Sequence, residues 1–284
     1  MLSYQHAYHA GNFADVHKHL TLYAVQDHLL RKESAITYID THAGRGLYPL
    51  ATKEALKLQE HREGIEPLWQ ARAQVTDTLL ADWLSHIASI QPDAARLSHY
   101  LGHYPGSPWW LSRGLRDQDA LRLCELHPGE HAELDAQTLP KALRLYGDGL
   151  LELERRVPVK TPRLCVLIDP SYERKAEYQE VAASAVYALS KARHGVIMIW
   201  YPLLPSGAHH ALLDALKTSG VRKIWQSELL LREPGSERHG MYASGMLVVN
   251  PPWGLDERLA GAMQDVTALL GGESRFDARW LVEE

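Results

Sequence analysis

Asp169 is the residue best placed for chemistry, because it ends an apolar run abruptly. Residues 166–168 (Val-Leu-Ile) predict a buried strand, which stops at Asp169, Pro170, Ser171 and Tyr172. In open α/β sheets, ligands bind outside the carboxyl ends of the strands. The sequence therefore predicts that Asp169 lies beside a bound ligand.

Three further acids, Asp40, Glu125 and Asp148, also stand at or near the ends of predicted strands. Together with Asp169 they would gather at one rim of a parallel sheet. A carboxylate after the second strand suits hydrogen bonds to ribose hydroxyls, and one after the third can accept from an adenine amino group. The pattern predicts a site for an adenosine-bearing cofactor, whereas the alternative is that these acids are ordinary turn residues.

A glycine-containing loop follows Asp40, with the sequence Thr-His-Ala-Gly-Arg-Gly at residues 41–46. Glycine lets a backbone approach a ligand closely, as the first turn of a nucleotide-binding fold requires. The spacing is not Gly-x-Gly-x-x-Gly, so the loop alone is a weak indication of a cofactor site.

Predicted strands alternate with helices along most of the chain, which favours an α/β fold with a mixed, mostly parallel sheet. We expect three regions: 1–50 with an irregular arm, a helix and the first strand; 51–100 as an inserted helical subdomain; and 101–284 as the remainder of the sheet domain. Asp15 is the predicted N-cap of a helix ending near Arg31, and Ser107 that of a helix opened by Pro108. Strands are predicted at 36–39, 120–126, 142–146, 164–168, 195–201, 223–231 and 244–250, and further helices at 131–137, 150–156, 175–192 and 206–219.

The composition is that of a folded, soluble protein. Of the 284 residues, 45% are hydrophobic, and the formal charge of -5 argues against a protein that coats nucleic acid non-specifically. Cys124 and Cys165 lie in strand-like runs and are expected to be small buried hydrophobes. No apolar run reaches the ~18 residues that span a membrane, and the N-terminus lacks a signal-peptide pattern. A cytoplasmic protein without membrane contact is expected.

The N-terminal polar residues are ambiguous on residue type alone. His6 and His9 could belong to a metal cluster or lie on the surface. Lys18 falls near the first turn of the predicted helix, where a solvated position is the simplest interpretation, although an anionic partner would suit it. Paired carboxylates with metal-ligand spacing are missing apart from those that a cofactor would use, so no metal is expected.

The stretch 169–172, Asp-Pro-Ser-Tyr, resembles the Asp-Pro-Pro-Tyr signature of methyltransferases that act on exocyclic amines of bases. The resemblance implies that Asp169 and the Pro170 carbonyl accept the two amine hydrogens and so direct the nitrogen lone pair at the methyl donor. Tyr172 would stack on a base turned out of its helix. Ser171 replaces the second proline, which concerns the rigidity of the loop and spares both acceptors.

Nearly the whole chain resembles the RlmJ family of 23S ribosomal RNA adenine-N6 methyltransferases. The resemblance implies a Rossmann-like class I fold, S-adenosyl-L-methionine as cofactor, S-adenosyl-L-homocysteine as product, 23S rRNA as substrate with adenine 2030 as target, and a monomer. The matching stretches are 1–4, 9–12, 18–19, 40–44, 104–108, 124–128, 148–149, 167–170, 200–202 and 250–253.

The same resemblance implies roles for individual residues. Tyr4, His6 and Lys18 match an N-terminal arm and helix start that engage the substrate. This interpretation replaces the metal cluster and the solvated surface considered above. Positions that contact the cofactor in the family correspond here to His19, His42, Ser107, Glu125, Asp148, Gly149 and Asp169.

Other functions remain open at this point. A DNA adenine-N6 methyltransferase would share the Asp169 chemistry but would usually need an added domain to recognise a duplex sequence. A protein for the utilisation of external DNA is a second alternative, and a non-catalytic RNA-binding module is a third. The module would not require four carboxylates at one rim, so the leading hypothesis is the rRNA methyltransferase.

Overall fold

A computed structural model describes residues 4–93, 99–235 and 240–284 of the chain. The Met-Leu-Ser part of the first family-like stretch lies outside the described residues. So does the 94–98 part of the predicted helical insertion.

The described residues form an eight-stranded mixed sheet with the strand order β10-β8-β9-β7-β6-β1-β4-β5. The five strands from β7 to β5 are mutually parallel, while β9 is antiparallel to both β7 and β8. The strands are β1 (Ile36–Asp40), β2 (Leu47–Pro49), β3 (His103–Pro105), β4 (Ala120–Glu125), β5 (Ala142–Tyr146), β6 (Arg163–Ile168), β7 (Val196–Leu203), β8 (Ile224–Leu230), β9 (Ala243–Val249) and β10 (Arg275–Val282).

Helices cover both faces of this sheet. Because the central strands are buried on both sides, their sequences are continuous apolar runs, as in β6, where Leu164 to Ile168 are all buried. The α-helices are α1 (Phe13–Leu30), α2 (Lys53–Leu58), α3 (Ile65–Gln70), α4 (Thr78–Ser89), α5 (Ser107–Ser112), α6 (Pro128–Ala136), α7 (Gly149–Arg156), α8 (Glu177–Lys191), α9 (His210–Thr218) and α10 (Leu255–Leu270).

The order of the parallel strands is that of a Rossmann-like sheet, in which the chain starts at the centre, moves to one edge and returns to the other side. The antiparallel β9 inserted beside β7 completes the arrangement of a class I methyltransferase fold. This confirms the predicted fold class. Helix α10 and strand β10, which follow residue 250, were not predicted, and neither was the small β2–β3 sheet.

The segment predicted as an insertion, 51–100, lies between the paired strands β2 and β3. Leu47 pairs with Pro105 and Pro49 with His103, and the Leu50 amide donates to the Gly102 carbonyl at 2.9 Å. The pairing closes the base of the segment between the two strands. Apolar side chains of α3 and α4 share one core with α1 and α10, and the Trp83 ring stacks 5.6 Å from that of Trp110 in α5.

Helix α1 is the central helix of the molecule, since residues 13–26 are all buried. Its N-cap is Asn12, whose side chain accepts from the Asp15 amide, so the prediction of Asp15 as the cap was wrong. Lys18 is 4% exposed, which corrects the solvated position inferred from spacing alone. Similarly, Gly106 rather than Ser107 caps α5. Within the described residues, no helix is both long and apolar enough to cross a membrane.

Candidate active site

A cavity of about 680 Å³ lies at the carboxyl ends of the parallel strands and beside the N-terminal arm. Its volume is in the range of sites for small molecules. Its lining brings together the predicted site residues with the exception of Tyr172: Tyr4, His6, Lys18, His19, His42, Ser107, Glu125, Asp148, Gly149, Asp169 and Pro170.

Asp169 follows β6 and forms an ion pair with Lys18, whose Nζ lies 2.5 Å from Asp169 Oδ2. The side chains are 12% and 5% exposed. Lys18 Nζ also lies 2.9 Å from Asp15 Oδ1, one helical turn earlier in α1. Because charges buried in a protein are stable only when paired, this cluster accounts for the buried lysine.

The arm continues the same polar network. His6 Nε2 lies 2.8 Å from Asp15 Oδ2, and the Tyr4 hydroxyl lies 2.9 Å from His6 Nδ1. The Tyr4 ring also stacks on His9 with 5.4 Å between the ring centroids. The arm is therefore connected to Asp169 through four successive polar contacts.

The protonation of the cluster follows from burial and charge. Burial raises the pKa of Asp169, although the charge and hydrogen bond of Lys18 oppose the rise. Burial alone would lower the pKa of Lys18, but Asp15 and Asp169 outweigh it and raise that pKa. Burial also disfavours ionisation of Asp15, yet the charges of His6 and Lys18 hold its pKa well below the usual range. Lys18 is thus a cation between two acids, of which Asp169 is the more readily protonated.

Glu125 and Asp148 occupy the ends of β4 and β5 and organise the neighbouring loops. The Glu125 carboxylate accepts from the Gly44 amide at 2.8 Å and from the His127 amide at 2.7 Å. Asp148 caps α7, its Oδ1 accepting from the amides at 150 and 151. A Cβ at Gly149 would lie 1.8 Å from the Thr41 carbonyl oxygen, so only glycine fits there.

His42 and Ser107 also line the cavity. The Thr41 hydroxyl lies 2.8 Å from His42 Nδ1 and 3.1 Å from the Leu167 carbonyl oxygen, so it holds the imidazole at the end of β1. Burial lowers the pKa of His42 to about 4, which keeps this ring neutral at pH 7.

Asp40 ends β1 but is fully buried and does not line the cavity. Burial raises the pKa of Asp40 to about 7, although a hydrogen bond from Ser107 favours the ionised form. One carboxyl oxygen, Oδ2, has no hydrogen-bond partner among the described residues. The structure therefore places three rim acids, not four, at the cavity.

His19 is buried in α1 with its Nδ1 2.9 Å from the Tyr104 hydroxyl. Burial lowers the pKa of His19 well below its usual value, so the ring is neutral. Cys124 and Cys165 are buried as predicted. Among the described residues, no cluster of three or more metal-ligating side chains occurs.

Tyr172 lies in the core rather than in the cavity, which corrects its predicted position. Its backbone has φ +53°, and its ring stacks on Tyr178 with 4.2 Å between centroids. Its hydroxyl donates to the Trp200 carbonyl at 2.7 Å. A ring packed in this way offers no face to a base in this conformation.

Trp200 is the aromatic residue at the cavity wall next to the ion pair. Its ring centroid lies 5.8 Å from Lys18 Nζ, and its Nε1 donates to Ser244 Oγ at 3.0 Å. His17 contacts the same Ser244 hydroxyl at 3.0 Å, and burial lowers the pKa of His17 to about 3. The indole is thus held by neutral hydrogen bonds from inside the protein.

Three cavity residues were missed as site residues in the sequence analysis: Asp15, Glu60 and Trp200. Asp15 was interpreted only as a helix cap, and Trp200 only as part of a matching stretch. Glu60 accepts from Asn12 and contacts His9, so it connects the insertion to the arm. No local signal marks Glu60, because its partners lie 48 and 51 residues away in the sequence.

The fold and this cavity define a class I methyltransferase, and the residues present fit an S-adenosylmethionine cofactor. Glu125 and Asp148 stand at the ends of β4 and β5, the second and third parallel strands in chain order, where ribose and adenine are bound in such folds.

Comparison with known proteins gives the family. Residues 33–282 match the family described as "Ribosomal RNA large subunit methyltransferase D, RlmJ". The chain is 36% identical to Ribosomal RNA large subunit methyltransferase J of Escherichia coli (strain K12) and 34% identical to that of Haemophilus influenzae, in each case over the full length of both chains. A crystal structure of a protein from Legionella pneumophila, 34% identical, superimposes with a TM-score of 0.87 over 96% of this chain and 98% of that one. The chain belongs to the RlmJ family of ribosomal RNA large subunit methyltransferases.

Proposed function

We propose that this protein methylates the exocyclic N6 amine of one adenine in 23S rRNA, with S-adenosylmethionine as the methyl donor. By family resemblance the target is adenine 2030. The observation that carries the proposal is the position of Asp169 and Pro170 at the cavity wall, in a chain of the RlmJ family. S-adenosyl-L-homocysteine is the expected product.

The adenine amine is a poor nucleophile, because its lone pair is delocalised into the ring. Asp169 and the Pro170 carbonyl accept its two hydrogens and direct the lone pair out of the ring plane. S-adenosylmethionine, when bound, supplies an electrophilic methyl group on a sulfonium. The proton that leaves N6 has an acceptor in the Asp169 carboxylate, whose pKa burial raises.

Trp200 is the stacking surface that we assign to the target base in place of Tyr172. Its position beside Lys18 and at the cavity wall supports this assignment. Base–aromatic stacking contributes about 1–3 kcal/mol per base. Lys18 fixes the orientation of Asp169 and balances its charge.

The cofactor-binding roles proposed for the rim follow the chemistry of each side chain. Glu125 accepts from ribose hydroxyls, Asp148 accepts from the adenine amine, and Gly149 lets the backbone approach. His42 contributes a neutral imidazole, while Ser107 and His19 complete the wall.

The arm and the insertion are proposed to shape the substrate side of the cavity. Tyr4 and His6 belong to the arm, and Glu60 of the insertion holds the arm through His9. We propose that residues 51–100 form an inserted helical subdomain that holds the arm through this contact. The family resemblance further implies a cytoplasmic monomer without an obligate protein partner, and we propose both.

The experiment that tests the proposal is transfer of labelled methyl from S-adenosylmethionine to 23S rRNA that lacks its own modification. An equal mass of unmethylated DNA serves as the matched acceptor. We expect label in rRNA, recovered as N6-methyladenosine after digestion. Label in DNA alone would favour the DNA adenine methyltransferase instead.

A further inference from the structure

Asp15 stands at the centre of the buried polar network that joins the arm to Asp169. Its side chain is 1% exposed. Oδ1 lies 2.9 Å from Lys18 Nζ, whereas Oδ2 lies 2.8 Å from His6 Nε2 and accepts from the Gly11 amide at 2.8 Å. One carboxylate therefore contacts the arm with one oxygen and the lysine with the other.

We propose that Asp15 is a positioning residue that couples docking of the N-terminal arm to the orientation of the catalytic carboxylate of Asp169. The inference rests on the proposed function, because Asp169 is catalytic only if the chain methylates an amine. Asp15 does not touch the reacting atoms in this account. It acts through Lys18, which contacts both carboxylates.

The coupling follows from how a lysine is held in a buried site. Lysine has a flexible four-carbon stem, so one ion pair leaves its ammonium free to rotate. Here two carboxylates hold Nζ, at 2.9 and 2.5 Å, and the ammonium has one favourable position. A shift of Asp15 would therefore move Lys18, and Lys18 would move the Asp169 carboxylate.

Asp15 itself is held from two sides. Its backbone amide donates to the Asn12 cap at 2.9 Å, which fixes it in the first turn of α1. Among the described residues, its Oδ2 is held by the arm residues His6 and Gly11. When the arm leaves, that oxygen loses both partners while Oδ1 keeps its contact with Lys18, so the carboxylate must turn Oδ2 toward other donors or water. Docking of the arm thus changes the position of the Asp169 carboxylate.

The coupling predicts an interaction between His6 and Lys18, which both contact the Asp15 carboxylate. The first experiment is a double-mutant cycle on turnover of 23S rRNA, with His6→Ala, Lys18→Met and the combined variant. We expect each single change to lower kcat by about a hundred-fold, the scale of a misplaced reacting group. The combined variant should be no more than about three-fold slower than the worse single variant, since residues that act as a unit are not additive. If the fold-loss of kcat in the combined variant equals the product of the two single losses, the proposal is overturned.

The second experiment substitutes Asp15 itself and includes a measurement that does not depend on activity. In Asp15→Asn we expect amide hydrogen exchange over residues 5–12 to accelerate at least ten-fold and kcat to fall about a hundred-fold, with cofactor affinity within three-fold of the wild type. The matched control is Asp119→Asn, another buried acid, which pairs with Arg116 at the opposite end of the sheet. This control should change neither the arm nor kcat.

The outcomes separate this inference from the proposed function. If the wild type labels no rRNA, the proposed function fails, whereas the exchange result still reports whether Asp15 holds the arm. If the wild type is active and Asp15→Asn retains kcat within three-fold, the positioning role is wrong. If Asp15→Asn does not fold, the His6–Lys18 cycle decides, because it leaves Asp15 in place.

Discussion

The rings of Tyr172 and Tyr178 stack with their centroids 4.2 Å apart, and the Tyr172 hydroxyl donates to the Trp200 carbonyl. The aromatic residue of the Asp-Pro-Ser-Tyr stretch therefore supports the cavity wall from behind. It holds the strand residue that lines the cavity rather than lining the cavity itself.

This position predicts a structural phenotype for Tyr172. Tyr172→Phe removes one buried hydrogen bond and should lower the free energy of unfolding by about 0.5–1.5 kcal/mol, with kcat within about three-fold of the wild type. Tyr172→Ala should cost about 3–5 kcal/mol of stability. Urea denaturation and rRNA turnover measure the two effects. A Phe variant that is stable but inactive would contradict the assignment.

The arm prediction concerns Tyr4, whose hydroxyl contacts His6 and whose ring stacks on His9. Tyr4→Ala should lower kcat about ten- to a hundred-fold, because the arm no longer positions the reacting groups, while cofactor affinity changes less than about three-fold. Calorimetry measures the cofactor affinity, and rRNA turnover measures kcat. The control is Tyr8→Ala, in the same arm but away from the cavity lining. Equal losses of turnover and cofactor affinity in Tyr4→Ala would contradict the role of the arm in positioning the reacting groups.

Ser171→Pro should be tolerated. Neither the amide nor the hydroxyl of Ser171 donates a hydrogen bond to a described residue, so proline removes no contact. Where the backbone already suits proline, stability rises by about 0.4–1 kcal/mol. Thermal unfolding and rRNA turnover provide the check. Complete inactivation would reveal a chemical role for the serine hydroxyl.

Asp40 should make stability depend on pH. Burial raises its pKa from the usual 3.8 to about 7, so the folded state binds the proton more tightly than the unfolded chain. Its contribution to stability is fully present below about pH 4 and is lost as pH rises through 7. Three pKa units correspond to about 4 kcal/mol. At pH 8, Asp40→Asn should therefore be more stable than the wild type by up to that amount, and the gain should vanish near pH 4.

Asp119→Asn is the matched control for the sign of this effect. Burial alone would raise the pKa of Asp119, but the hydrogen bond and charge of Arg116 outweigh burial and lower that pKa. Removing that carboxylate should destabilise the protein at pH 8. Denaturation curves at pH 5 and pH 8 for both variants compare the two acids. A loss of stability at pH 8 in Asp40→Asn would contradict the raised pKa.

Most of the sheet could be predicted from the sequence, because its central strands are apolar runs that end in acids. The strands β1, β5 and β6 lie within one residue of their predicted bounds. Strand β10 could not be predicted in this way, since it is an exposed edge strand in which only three residues are partly covered. Its pairing with β8 depends on a contact between distant segments.

The site was predicted less completely, and the reason is the same. Spacing alone indicated a solvated Lys18, because its partner Asp169 is 151 residues away and a single sequence does not show that contact. His17 is likewise buried by Ser227 and Ser244, more than 200 residues along the chain. Asp15 is three residues from Lys18, so its role could have been inferred only once the burial of that lysine was known.

The central claim is that Asp169 and the Pro170 carbonyl hold the amine that is methylated. The most direct test is single-turnover methyl transfer from S-adenosylmethionine to unmodified 23S rRNA by Asp169→Asn, which keeps the shape of the side chain. We expect a rate about a hundred- to a thousand-fold below the wild type, with cofactor binding retained. A rate within about three-fold of the wild type would contradict it.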